Sequence, residues 1–530
     1  MNWRSEIEDI KNVRALALEQ GGTENVDRQH AKGRLTVRER IQSVLDPDTF
    51  QEVGPAAGAS ERDKNGQLIS FTPANFILGF GKIDGRTCVV SGEDFTVKGG
   101  SPNAAGLRKS VYAEHLACRH RVPLIRLHEG GGGSVGGTAS GKTTVGTPVY
   151  EPHRFRSVAE AMATVPVATA ALGPVAGLPA ARLVAAHLSV MARENAQVLI
   201  AGPAVVERAL GERMTKEELG GAKVHTTNGV IDNVADDETH AFAQIRAFLG
   251  YLPANVWELP PVTVSNDTPD REELELRDII PRDRRKLYNV RTLLSYILDH
   301  ESFFEIGPDY GRGQITGLAR LNGQPVGIWA NNCRYLAGAM TALGARKARR
   351  FIEFCETFHL PIVCLVDEPG FMIGSAAEQE GTIRDGTATV LTASLSTVPW
   401  ASVVVRRSFG VAQAAHYGQD AYVLAWPSAE MGPLPVEGGV AVAYHREIAA
   451  APDPEARRAE LEKQLSAGQS PMPRSESFSL HDIIDPAETR SRLCDWIDWI
   501  QPLLPELLGP KSFPILPLTA FPRTRRAPCV

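Results

Sequence analysis

The sequence repeats itself. Gly79-Phe80-Gly81-Lys82-Ile83-Asp84-Gly85-Arg86 returns as Gly317-Leu318-Ala319-Arg320-Leu321-Asn322-Gly323-Gln324, an offset of 238 residues. The offset holds through Arg108-Lys109 on Arg346-Lys347, Pro123 on Pro361 and Glu129 on Asp367. After a short deletion it becomes 233, which sets Val165-Pro166 on Val398-Pro399 and Gly177 on Gly410. A period this long marks a duplicated domain, not a solenoid repeat. The 530 residues give room for two substantial cores. Two like domains carry two like sites, so the function needs two related pockets.

Within each copy the pattern is α/β. Two strands flank a tight turn, near Phe76–Gly81 and Thr87–Ser91, with Asp84-Gly85 or Asn322-Gly323 as turn residues. A helix follows, at 104–121 or 344–358. Then comes a short apolar strand, at 124–127 or 362–366, ending in a carboxylate and a glycine-rich turn. A second helix and another apolar strand lead to Gly177 or Gly410. Strands alternating with helices define an α/β domain. Residues 1–75 read as a charged helical extension and 260–270 as the linker. The expected domains are 1–262 and 275–530. The tail after Gln501, with seven prolines, is expected to wrap over a surface.

Composition narrows the function classes. A net charge of -6 supplies no basic surplus for nucleic acid. The most apolar stretch, Val165–Ala192, holds Pro166, Pro174, Pro179, Arg182 and His187, which suits buried core and not a membrane span. The polar, acidic N-terminus reads as neither signal nor transit peptide, so the expected location is cytoplasmic. Seven cysteines without a CxxC pair or metal spacing read as reduced structural thiols, with no metal site.

Chemistry has two stations in each copy. One is the small-residue turn after a buried strand, 174–180 or 409–415. Such a turn can aim consecutive backbone N–H groups at an oxyanion. Close helix–strand packing asks for the same small residues, and both readings stand on the residues alone. The other is the turn after the first apolar strand, 129–137 or 367–374, where glycine lets a ligand approach the backbone. Gly136–Thr143 satisfies the phosphate-loop pattern GxxxxGK[ST] literally. The strand ends too early, near Leu127, and Gly146 and Pro148 follow, so the strand–loop–helix context is missing. Lys142 stays a candidate contact for the phosphate of another ligand. His128, His187 and His416 fall near the turns, and Glu129, Glu368, Glu378 and Glu380 are candidate acids or bases.

Seven segments carry a resemblance. They are HisAlaLysGlyArgLeuThrValArgGluArgIle (30–41), GluAspPheThrValLysGlyGlySer (93–101), GluGluLeuGlyGlyAlaLysValHis (217–225), AspIleIlePro (278–281), ArgLysAlaArgArgPheIleGluPheCys (346–355), ValAspGluProGlyPheMetIleGly (366–374) and AlaTrpProSerAlaGluMetGly (425–432). Across nearly the whole chain these resemble the carboxyltransferase (β) subunits of biotin-dependent acyl-CoA carboxylases, of the propionyl-CoA and methylcrotonyl-CoA type. The resemblance implies two tandem crotonase/ClpP-like spiral domains, with acyl-CoA on the first and carboxybiotin on the second. It implies carboxyl transfer to the acyl α-carbon through an enolate held by backbone N–H groups. Those would be Gly177 and Leu178 for the enolate, and Val411 and Ala412 for the ureido oxygen. It further implies substrate contacts at Gly131, Gly132, Lys142, Gly410 and Ala414. There is no AlaMetLysMet sequence, so biotin would arrive on a partner, a biotin carboxylase/biotin carboxyl carrier subunit, and the chain would form a homo-hexamer.

The chain departs from the family at its turns. Leu178 and Val411 stand where glycine is usual, the first loop opens GluGlyGlyGlyGly where SerGlyGlyAla is usual, and Ala414 replaces a common substrate-selecting Asp. Two alternatives follow from these departures. One is a biotin-independent crotonase-like decarboxylase, hydratase or hydrolase with Glu129 or Glu368 as base. The other is a non-catalytic scaffold.

Overall fold

In the computed structural model, described for residues 3–132 and 155–511, each copy of the repeat builds an eight-stranded sheet on one plan. The chain divides into two compact units, Met1–Glu258 and Leu259–Val530. In the first, strands Gln51–Glu52, Phe76–Ile83, Arg86–Glu93, Leu124–Gly130, Val167–Ala176, Leu188–Ala192 and Asn233–Ala235 lie side by side in that order. In the second, Phe304–Ile306, Gln314–Leu321, Gln324–Asn331, Ile362–Glu368, Trp400–Phe409, Tyr422–Ala425 and Asp482–Ile483 repeat it. The first two pairings are antiparallel and the rest parallel. The long strand in each unit changes neighbours along its length. Ala168–Ala171 pair with Leu188–Met191, and Pro174–Ala176 with Gln197–Leu199. Ala401–Val404 and Arg407–Phe409 do the same with Tyr422–Ala425 and Glu430–Gly432. That change gives each unit its spiral and carries the chain to Gly177 or Gly410.

The hairpin turns form as their residues demand. Asp84 and Gly85 have φ of 49° and 76°, and Asn322 and Gly323 have the same two values, as a two-residue turn with both central residues left-handed requires. The structure extends the repeat beyond its legible part. Asp46 accepts from the N–H of Gly85 at 2.8 Å and is held by Arg246 at 2.9 Å. Asp299 accepts from Gly323 N–H at 2.8 Å and is held by Arg490 at 2.8 Å. Arg38 pairs with Glu52 at 2.9 Å, and Arg291 with Glu305 at 2.6 Å. Lys109 caps the Gly54 carbonyl, and Lys347 the Gly307 carbonyl. Before the first strand pair the spacing is 253 residues, as from Asp46 to Asp299 and Glu52 to Glu305. A two-stranded hairpin that among the described residues occurs in the first unit alone, Gly58–Arg62 with Leu68–Pro73, accounts for the change.

Residues 1–75 are therefore more than a helical extension. Helices Arg4–Leu18, Thr23–His30 and Val37–Val44 are followed by a sheet-edge strand and that hairpin. Thr36 and Glu39 close the third helix with a reciprocal capping box. The stretch 260–270 folds onto the second unit, where Thr263 N–H donates to the Gly323 carbonyl at 3.1 Å. Val165–Ala192 contributes a strand, a short helix and a strand with a largely buried apolar content. No described helix is long and apolar enough to cross a membrane. The six described cysteines are free thiols.

Candidate active site

Three backbone segments converge at each site. In the first unit they are Lys98–Gly100, Gly131-Gly132 and the turn at Gly177. Gly131 N–H donates to the Gly99 carbonyl at 3.0 Å. A Cβ at Gly177 would stand 3.0 Å from Gly132 Cα, so the turn needs glycine at 177 for the loop to come this close. In the second unit they are Leu336–Gly338, Pro369-Gly370 and Gly410. The N–H of Met340, two residues past the first of these segments, donates to the Gly370 carbonyl at 3.1 Å.

The first of these segments went unrecognised in the sequence as part of the site. Its three residues are all left-handed, with φ of 53°, 63° and 67° at 98–100 and 47°, 55° and 85° at 336–338. For Leu336 and Ala337 this costs about 1–2 kcal/mol each. Side chains hold it: Arg407 Nη2 donates to the Ala337 carbonyl at 2.6 Å, and Asn331 Nδ2 to the Gly338 carbonyl at 3.2 Å. Only Gly99-Gly100 in the first copy hints at it.

Gly177 (φ 66°, ψ −127°) starts helix Leu178–Val184, and Gly410 (φ 65°) precedes the short helix Ala412–His416. Both glycines spend their N–H on the strand beyond, Gly177 on the Leu199 carbonyl at 3.4 Å and Gly410 on the Gly432 carbonyl at 3.2 Å. The bond at Gly177 is long and weak. Among the described residues no acceptor faces the N–H of Leu178, Val411 or Ala412. Pro179, which corresponds to Ala412, has no N–H. The turns thus align glycine on glycine, while the donors expected from the sequence sit one step apart in the two copies. Val411 is 62 % exposed and Ala414 is also exposed, so the second turn is open to a ligand. Leu178 lines a cavity of about 20 Å³ with Asn75, Glu93 and Arg182. Lys142 and the segment Gly136–Thr143 lie outside the described residues.

Two of the acidic candidates, Glu129 and Glu368, are buried against partners of their own. Glu129 is fully buried and receives Gln29, Arg34 at 3.1 Å and Arg40 at 2.7 Å. Asp367, its counterpart, receives Arg406 at 2.7 Å, Arg407 at 2.6 Å and the Tyr288 hydroxyl. A bulge in the parent strand turns each carboxylate to these partners. Glu368 is equally buried, against His416. Neither Glu129 nor Glu368 reaches a ligand as a general base, while Glu378 and Glu380 lie exposed after the loop at 367–374. His187 is satisfied by Val167 N–H and the Met162 carbonyl. His128 pairs with Glu93 at 3.0 Å. Burial pushes Glu93 up, yet His128 and Arg182 outweigh it and hold the carboxyl below its usual range.

A cleft of about 1040 Å³ in the second unit also went unread. It is lined by Pro369, Phe409, Trp426 and six arginines. Four of the six are already paired: Arg277 with Asp485, Arg284 with Glu430 and Glu437, and Arg406 and Arg407 with Asp367.

Two spiral α/β units with one plan and one turn geometry define a tandem crotonase-like fold. The carboxyl transferase domain family matches residues 28–499, and the chain belongs to it. It is 35% identical over 500 residues to the propionyl-CoA carboxylase carboxyltransferase subunit of Haloferax mediterranei, covering 93% of this chain and 95% of that one. It is 33% identical to the human mitochondrial propionyl-CoA carboxylase beta chain, with 93% and 90% covered. Among solved structures, the transcarboxylase 12S hexamer with methylmalonyl-coenzyme A bound matches with a TM-score of 0.84 at 30% identity, covering 94% and 96%.

Proposed function

We infer that this chain is the carboxyltransferase component of an acyl-CoA carboxylase. The observation that carries this is the pair of small-residue turns at corresponding positions, in a chain whose relatives over nine-tenths of its length are carboxyltransferase subunits. The acyl-CoA thioester lies at the first turn. Loss of its α-proton makes an enolate, and the charge on its oxygen falls on the N–H groups of Leu178 and Gly177, the latter exchanging its long bond to Leu199 for the ligand. Preorganised donors of this kind lower a barrier by about 3–4 kcal/mol each. Gly131, Gly132 and Lys142 border this ligand.

The second turn suits a flat, neutral ring. Space beside Gly410 is open, with Pro433 O the nearest atom at 3.7 Å from an added Cβ, and the N–H groups of Val411 and Ala412 are unspent. Carboxybiotin, borne by a biotin carboxylase/biotin carboxyl carrier partner, supplies CO2 and then the nitrogen that accepts the α-proton. The chain contributes no acid or base of its own, which agrees with the burial of Glu129 and Glu368. A homo-hexamer is the assembly we infer, in the cytoplasm, where free thiols persist.

The test runs the reaction in reverse, with methylmalonyl-CoA as carboxyl donor and free biotin as acceptor. Propionyl-CoA should form only with biotin present. Formation at the same rate without biotin would replace this reading with biotin-independent crotonase chemistry.

A further inference from the structure

Glu368 and His416 lie beneath the second turn, both fully buried. Glu368 ends strand Ile362–Glu368, and His416 ends the short helix that begins just after the turn. His416 Nε2 is 3.1 Å from Glu368 Oε2. Asn331 Nδ2 donates to the same oxygen at 3.0 Å, and Gly370 N–H donates to Oε1 at 2.9 Å. Asn331 also grips the Gly338 carbonyl. One carboxylate therefore ties together all three backbone segments of the site.

The imidazole is fixed on its other sides. It stacks on Trp329 with centroids 4.1 Å apart, and its Nδ1 is 3.3 Å from Cys364 Sγ. A cysteine, histidine and glutamate in line have the order of a nucleophilic triad, yet all three are sealed from solvent. Burial and the Glu368 charge also push the thiol well above its usual range. The thiol then donates to Nδ1, which leaves Nε2–H to donate to Glu368. Three donors meet a group that only accepts. An amide in its place would set an N–H against a donor whichever way it turned.

We propose that Glu368 and His416 are positioning residues of carboxyl transfer, holding the helix that presents the Val411 and Ala412 N–H groups in register with Gly370 and Gly338. The proposal rests on the reading of Val411 and Ala412 as the ureido-oxygen donors. Neither residue touches the substrate, so their loss should slow turnover without weakening acyl-CoA.

The test is steady-state kinetics of the full chain with methylmalonyl-CoA and free biotin, on Glu368→Gln, His416→Phe and Val411→Pro. Both pair variants should lower kcat by about 10- to 100-fold, the scale set by misplacing an oxyanion donor. The KM for methylmalonyl-CoA should stay within about twofold of wild type. His416→Phe keeps the ring on Trp329 and decides the matter if Glu368→Gln fails to fold. Wild-type kcat in His416→Phe with Val411→Pro inactive overturns the proposal alone. A loss expressed as a raised KM for methylmalonyl-CoA overturns it as well. Full activity in Val411→Pro overturns the reading of the turn beneath it.

Discussion

Below the first turn, Glu93 meets His128 at 3.0 Å and Arg182 adds its charge; below the second, Glu368 meets His416 at 3.1 Å with the uncharged Asn331 and Gly370 as its other partners. Both carboxyls are buried, and burial is the largest influence on each. At Glu93 the pull of His128, with smaller help from Arg182, outweighs burial and leaves the carboxyl below its usual range; at Glu368 burial outweighs His416 and leaves it above. Duplication thus kept the backbone frame and refilled its floor. The copies agree where the backbone needs a fixed device, as at the hairpin turn, and diverge where only volume and polarity must balance.

The buried arginine clusters offer the strongest way to break this comparison. Glu129→Ala takes Arg34's carboxylate partner but leaves Arg40 paired with Glu238, whereas Asp367→Ala takes the carboxylate from both Arg406 and Arg407. Removing one partner of a buried pair costs about 3–5 kcal/mol. The second variant should lose more, because Arg406 and Arg407 fall back on the Lys286 and Ala337 carbonyls while Arg40 keeps the Glu238 carboxylate. Hydrogen exchange resolved by unit checks the ranking. A greater loss in the first unit contradicts it.

Next come the turn glycines. Gly177→Ala adds a Cβ 3.0 Å from Gly132 Cα at a ψ of −127° that side chains avoid, and turnover should fall by roughly 100-fold. Gly410→Ala meets nothing nearer than 3.7 Å and should lose about tenfold, from left-handed strain alone. Equal losses in kcat would show that space beside the turn does not matter.

The two pairs should also respond to pH with opposite sign. Glu93, with its folded pKa depressed, adds stability above the unfolded value near 4.5 that is lost as pH falls through the folded value. Glu368, with its folded pKa raised, adds stability below 4.5 that is lost as pH rises through the folded value. In thermal melts, the penalty of Glu93→Gln should therefore grow with rising pH while that of Glu368→Gln shrinks. Parallel trends would refute the contrast.

Much of this architecture was legible. The offset repeat, the AspGly and AsnGly turns and the apolar strands before Glu129 and Asp367 were enough to place both sheets. The hairpin at Gly58–Pro73 was hidden, because its strands are largely exposed and its apolar residues, Leu68, Ile69 and Phe71, do not alternate along one face. The left-handed turn at Leu336–Ala337 was hidden for a different reason. Its conformation is imposed by Arg407, 70 residues away, and by Asn331 on the strand just before it, against the preference of its own residues. The acidic candidates misled because a carboxylate beside a glycine loop looks the same whether it faces a ligand or a buried arginine.

The smallest expected effect concerns acyl choice. Ala414 is exposed and uncharged beside the second turn, and a wild-type preference for medium or branched acyl groups over acetyl should follow, at about 0.8 kcal/mol or fourfold per methylene. Ala414→Asp should flatten that series of kcat/KM values. An acetyl-CoA optimum unmoved by the substitution would remove Ala414 from the pocket.

The aspartate–arginine staples bear on how the chain is made. Asp46 waits for Arg246, 200 residues later, and Asp299 for Arg490, 191 residues later. Each staple joins the opening of a unit to one of its last helices, so each hairpin stays unlocked until nearly the whole unit has left the ribosome. Closing so long a loop is slow and comes late. The first unit can complete that closure while the second is still being synthesised, since both ends of its staple lie within Met1–Glu258. Copies that share one strand pattern are prone to pair wrongly with one another. Two self-contained closures, separated in time by translation, give this duplicated chain a way to keep each copy's strands at home.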